Sequence, residues 1–115
     1  MFIDAYSGDG IPPHLATTVF FQAVRARLAA GGVVVVNVAV DHPGTERRLR
    51  RAFHAAFPSC ARLVGATPGN VIFLGPSAAH ALSPGDIRAA LVRFDANKRL
   101  PFALATEVNG VAACE

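Results

Sequence analysis

The chain has 115 residues, 52% of them apolar and 17% charged, and 11 Lys and Arg against 8 Asp and Glu give a net charge of +3. That length holds one domain, and the composition excludes a disordered chain, which would be poor in apolar residues and rich in charge. The longest apolar run, residues 33–40 interrupted by Asn37, falls well short of the about 20 residues that a membrane helix needs.

No basic-then-apolar signal segment opens the chain. Phe2-Ile3-Asp4-Ala5 reads as the end of a buried strand. Ser7-Gly8-Asp9-Gly10 reads as a loop, because Gly and Asp favour turns and positive φ. Pro12-Pro13 stiffens the chain ahead of a helix, whose first turn tolerates proline. Phe20, Phe21, Val24 and Leu28 recur at helical spacing, which predicts a helix over about 15–30 that Gly31-Gly32 ends. Residues 33–40 are β-branched without alternation, the mark of a strand covered on both faces in a parallel sheet. Asp41-His42-Pro43-Gly44-Thr45 reads as a turn, with Thr45 as a helix cap.

A second helix is expected over 46–57, closed by Pro58. Its apolar residues Leu49, Ala52, Phe53, Ala56 and Phe57 keep helical spacing, which leaves Arg47, Arg48, Arg50 and Arg51 as a solvated outer face. A nucleic-acid patch is the sharper reading of four clustered arginines. The composition argues against it, since the interleaved aromatics belong to the buried stripe and not to a base-stacking surface. Residues 61–66 and 71–74 read as strands joined by the tight turn Thr67-Pro68-Gly69-Asn70, too short for a crossover, so an antiparallel hairpin is expected. Ser83-Pro84-Gly85-Asp86 starts a third helix over 87–94, and the tail after Leu100 shows little pattern. Cys60 and Cys114, alone in a Cys-poor chain, read as reduced thiols, and the expected location is the cytoplasm.

This order of elements belongs to the α/β class. In such sheets ligands sit beyond the carboxyl ends of the parallel strands. Asp4 stands at the end of the first strand, Asp9 follows in the loop, and 37–41 ends the second. An apolar share this high in so small a body also leaves surface for a partner to cover.

The run from Asp4 through Tyr6, Asp9 and Pro13 to Leu15 resembles the active-site strand and loop of spermidine synthase-like proteins, the polyamine aminopropyltransferases. Gly31-Gly32-Val33 is similar to that family's strand entry, and Thr67-Pro68-Gly69-Asn70-Val71 to the turn between its last two strands. The resemblance covers residues 1 to about 102. It implies a partial Rossmann-like, class I methyltransferase-like fold in three layers, with a mainly parallel sheet ending in an antiparallel hairpin. On this reading 1–115 is a single domain, the C-terminal half of a spermidine synthase-like domain. The nucleotide-holding half, with its glycine-rich loop, would precede residue 1, and Gly8 and Gly10 do not complete a dinucleotide fingerprint.

The implied chemistry is transfer of an aminopropyl group from decarboxylated S-adenosylmethionine to a diamine. The attacking amine must lose a proton, and a carboxylate near the sulfonium can bind, orient and deprotonate it. The resemblance puts Asp4 in that catalytic role, with Tyr6, Asp9 and His14 as substrate-binding residues. Independent activity is not expected without the missing half, and no residue here is assigned to the cofactor. Two departures weigh on the diamine: Asp4 and Asp9 are further apart than the family's compact acidic pair, and Thr67 stands where the family carries a tyrosine. The alternatives are a non-catalytic oligomeric binding module, or part of a methyltransferase relative that uses S-adenosylmethionine. His14, His42, His54 and His80 show no metal-ligand spacing with the cysteines, so no metal is expected, and each reads as a surface or loop histidine. A homodimer covering the strand at 2–5 is expected, because an edge without a neighbour invites association.

Overall fold

The computed structural model describes residues 1–6, 11–40, 43–77 and 82–114. The elements run β1 (Phe2–Ile3), a 3-10 turn (Pro13–Leu15), α1 (Thr18–Ala26), β2 (Val33–Ala39), α2 (Pro43–Ala56), β3 (Ala61–Gly65), β4 (Asn70–Pro76), α3 (Pro84–Lys98), α4 (Leu104–Glu107) and β5 (Val108–Ala113). The chain is therefore α/β. Among the described residues no helix is long and apolar enough to cross a membrane.

The five strands form one sheet in the order β1-β2-β4-β3-β5. Only β1 and β2 are parallel; β2–β4, β4–β3 and β3–β5 are antiparallel. This corrects the expectation of a mainly parallel sheet. The reason lies in the turn before β4. Residues 66–69, with Gly69 at φ 131°, reverse the chain at once, so β4 must run against β3. β4 then inserts between β3 and β2, which point the same way, and is antiparallel to both. Its residues suit a central strand: Val71 and Phe73 are buried, and they face the same side as Val34, Val36 and Val38 of β2.

That side carries the core. Leu49, Ala52, Phe53, Ala56 and Phe57 of α2 and the following turn are buried, and Arg47, Arg48 and Arg51 are exposed, as the helical spacing predicted; Arg50, expected on the same solvated face, is half-buried. Phe53 is the hub: its ring centre lies 5.0 Å from Phe21 of α1, 4.8 Å from Phe57 and 5.6 Å from Phe73. Gly75 of β4 leaves the space these rings fill, since a Cβ there would come within 2.7 Å of Phe57 and 2.8 Å of Phe53. Arg25 ties the two helices by donating to the Ala56 carbonyl at 2.8 Å, the end of α2 where a cation is favoured.

Several boundaries moved. α1 begins at Thr18 because Pro13–Leu15 forms a separate 3-10 turn and the Thr17 hydroxyl caps the helix, accepting from Phe20 N–H at 3.2 Å. Thr45 lies inside α2 and does not cap it. Ser83 does cap α3, accepting from Asp86 N–H at 3.0 Å. The tail after Leu100 is structured: Asp95 accepts from the Leu104 and Ala105 N–H groups, both at 2.7 Å, and so starts α4. β5 follows and pairs with β3. α3 and α4 lie against each other and against β5, on the sheet face opposite the core. Leu63 and Leu74 of that face, with Ile87, Leu91, Phe94 and Leu104, border an open apolar trough of about 300 Å³.

Cys60 and Cys114 are not separate thiols. Where β5 ends beside the start of β3, the two Cα atoms are 5.5 Å apart and the sulfurs are bonded as a disulfide. Cys114 N–H also donates to Cys60 O at 3.2 Å. The pairing was hidden from the sequence because nothing in the tail announced β5.

Candidate functional site

The parallel pair β1–β2 sets the site. The register Phe2↔Val35 and Ile3↔Val36 brings Asp4, the next residue after β1, alongside Asn37. Antiparallel pairing sets Asn37 opposite Ile72 of β4, and Asn70 is the diagonal neighbour two residues back, on the same face. Side chains two apart on a strand share a face. Three polar residues from three successive strands therefore meet on the side away from the phenylalanine core.

They form a directional chain. Asn37 Nδ2 donates to Asp4 Oδ1 at 3.1 Å, and Asn70 Nδ2 donates to Asn37 Oδ1 at 3.2 Å. The orientation follows from the acid. A carboxylate can only accept, so Asn37 must present its NH2 to Asp4, which leaves its carbonyl for Asn70. Asp4 and Asn70 are exposed and Asn37 is half-buried between them. Asp4 thus presents its carboxylate at the carboxyl end of a parallel strand, held by a neutral donor and open to solvent. Such a group can bind an ammonium, orient it and accept its proton.

Beneath this row lies a small void of about 10 Å³, lined by Ile3, Ile11, Leu15, Phe21, Val36 and Leu49 among others. It has room for about one water and is apolar, so it is a packing gap and not a ligand pocket.

The other sequence candidates are less closely gathered. Tyr6 follows Asp4 by two residues and is 50% exposed. His14 is exposed on the 3-10 turn, where its carbonyl accepts from the Thr17 hydroxyl at 3.2 Å. Asp9, His42 and His80 lie outside the described residues. His54 is neither on a loop nor fully exposed: it is half-buried on α2, with Nδ1 3.8 Å from Cys60 Sγ. Asn70 escaped the sequence reading because Asn beside Gly reads as a turn former. Asn37 carried a signal, as the one polar residue in a run of valines and alanine, but its partners needed the β4 insertion.

No family model, curated protein sequence or solved structure matches this chain.

Proposed function

We propose that this chain is the acceptor-binding half of a spermidine synthase-like transferase on a methyltransferase-like fold, with Asp4 as the residue that receives a cationic amine. One observation carries the reading. An exposed carboxylate stands at the carboxyl end of the parallel strand pair, where α/β sheets place their ligands, and Asn37 fixes its direction. The hairpin β3–β4 at the far side of that pair agrees with the resemblance. In the full reaction the amine nitrogen would attack the methylene carbon on the donor sulfonium. The carbon–sulfur bond breaks, methylthioadenosine leaves, and Asp4 takes the proton that the amine sheds. Tyr6, Asp9 and His14 would border the amine. The donor, decarboxylated S-adenosylmethionine, would be held by residues outside this chain, so the chain alone binds acceptor without turning it over. A second copy as the partner at residues 2–5 belongs to the same proposal; the cytoplasmic setting does not, because it was expected from separate thiols and the Cys60–Cys114 bond removes that ground.

A second reading, a non-catalytic oligomeric module, is favoured by the exposed apolar residues Met1 and Phe2 on the outer strand. Titration calorimetry separates the two. Putrescine is expected to bind the wild-type chain and to lose its heat in Asp4→Asn, with no heat from decarboxylated S-adenosylmethionine or methylthioadenosine. Heat from S-adenosylmethionine alone would point to a methyltransferase relative. No heat from any diamine overturns the acceptor-site reading.

A further inference from the structure

The sheet separates charge. Among the described residues, 11–40 hold Arg25 and Arg27 and no acid, and 43–77 hold Arg47, Arg48, Arg50, Arg51 and Arg62 against the single acid Glu46. The other described acids lie across the sheet: Asp4 points away from the core, Asp86 and Asp95 belong to α3, and Glu107 to α4. There they are balanced by Arg88, Arg93, Lys98 and Arg99. Asp9, Asp41 and Glu115 lie outside the described residues. The side of the sheet that carries α1 and α2 is therefore the cationic one.

The surplus is concentrated on α2. Leu49, Ala52, Phe53 and Ala56 turn one stripe of this helix to the core, so Arg47 and Arg51, about one turn apart, stand at its crest. Arg48 falls on the flank away from Glu46. All three arginines are exposed, and among the described residues none of them makes an ion pair or a hydrogen bond. Glu46 does not offset them, because it faces Arg62 of β3 at 3.8 Å. Like charges three and four residues apart weaken a helix. A face that only had to be solvated would carry both signs. An anionic partner removes this repulsion.

The side chains of the crest select among anions. All the cations of the chain but Lys98 are arginines, and a guanidinium grips phosphate through two hydrogen bonds. No large apolar side chain of α2 is exposed, so the helix has nothing to sink into a bilayer. Burial of Phe53 and Phe57 removes the ring stacking that single strands use and leaves contact with the phosphates of a duplex untouched. A helix is about 10–12 Å across and meets the mouth of the B-form major groove, about 12 Å wide, whereas that of A-form RNA is deep and narrow. The sequence pI of about 9.5 agrees.

We infer that the arginine crest of α2 binds the phosphate backbone of double-stranded DNA without reading its sequence. This surface lies across the sheet from Asp4, Asn37 and Asn70 and goes beyond the amine reading; neither stands on the other.

Fluorescence anisotropy of the full chain with a labelled mixed-sequence DNA duplex provides the test. Three phosphate contacts give a salt slope of about −2.7, so affinity is expected to fall about 40-fold between about 50 and 200 mM salt. Arg47→Gln combined with Arg51→Gln leaves one contact and is expected to lose only about 3- to 4-fold over that range, from a weaker start. Arg88→Gln with Arg93→Gln, exposed on the far side, is expected to keep the wild-type slope. Circular dichroism is expected to match the wild type in both. If the first pair disturbs the helix, Arg48→Gln decides alone, by a slope shallower by about 0.9. Single-stranded DNA and duplex RNA of the same length are expected to bind less tightly than duplex DNA, and phosphatidylserine vesicles not to displace it. The inference is overturned if duplex DNA does not bind at the lower salt, or if both double variants lose slope alike. Tighter binding of the single strand, the RNA duplex or the vesicles overturns it equally.

Discussion

Gly75 faces Phe57 so closely that a Cβ on the strand would lie 2.7 Å from the ring's Cγ. Phe53 is as near, at 2.8 Å, so neither ring can retreat without striking the other. Overpacking of this kind costs about 1–3 kcal/mol. Gly75→Ala is therefore expected to lower the urea midpoint by that amount while leaving the slope of the transition unchanged. An unaltered midpoint would mean that the rings move freely, contrary to the close-packed cluster around Phe53.

Asn37 holds Asp4 by one hydrogen bond at a half-exposed site. Removing such a bond weakens what it supports by about 0.5–1.5 kcal/mol, or roughly 2- to 12-fold in affinity. Asn37→Ala is expected to weaken putrescine binding within that range and to barely change the unfolding midpoint. Asn70→Ala, one step further from the acid, is expected to do less. Calorimetric titration of the two variants beside the wild type provides the measurement. Equal affinity in all three would show that the row of amides plays no part in binding.

Asp95 receives two backbone N–H groups, those of Leu104 and Ala105. Loss of a capping group of this kind costs about 0.5–2 kcal/mol. Asp95→Ala is expected to speed amide exchange at residues 104–107 and at β5, which follows directly, while β2 and β4 keep their protection. Uniform exchange rates across the variant would deny α4 its dependence on this one carboxylate.

The Cys60–Cys114 bond closes a loop across a sequence separation of 54 residues. Disulfides typically contribute about 2–4 kcal/mol, largely by restricting the unfolded chain. Reductant is expected to lower stability by about that amount, and Cys114→Ser to match the reduced wild type. Alkylation followed by mass spectrometry should find no reactive thiol in the untreated protein and two after reduction and unfolding. Two thiols without reductant would refute the pairing.

Local pattern revealed the elements that depend on local physics. The apolar stripe of α2 was plain in the sequence because Leu49, Ala52, Phe53 and Ala56 follow the helical period, and the arginines fall between them. The valine run of β2 and the hairpin turn at Gly69 were equally plain. What could not be read was strand order. Nothing local says whether β4 lies outside β3 or slips between β3 and β2, and that choice decides whether the ladders are parallel. β5 was missed because Val108, Asn109 and Gly110 make a weak strand by composition; its place is set by the open side of β3 and by Cys114. The candidate site divides the same way. Asp4 was legible from its position after a short apolar run, and the role of Asn37 and Asn70 emerged only from the three-strand alignment.

The sheet order has a further outcome for assembly. With β1 at one margin and β5 at the other, the sheet has two ends at which it could grow. The β5 margin is the guarded one: there the ladder's register breaks at Val64 and Gly65 and the strand is tethered by its own cysteine, which leaves a poor template for a further strand.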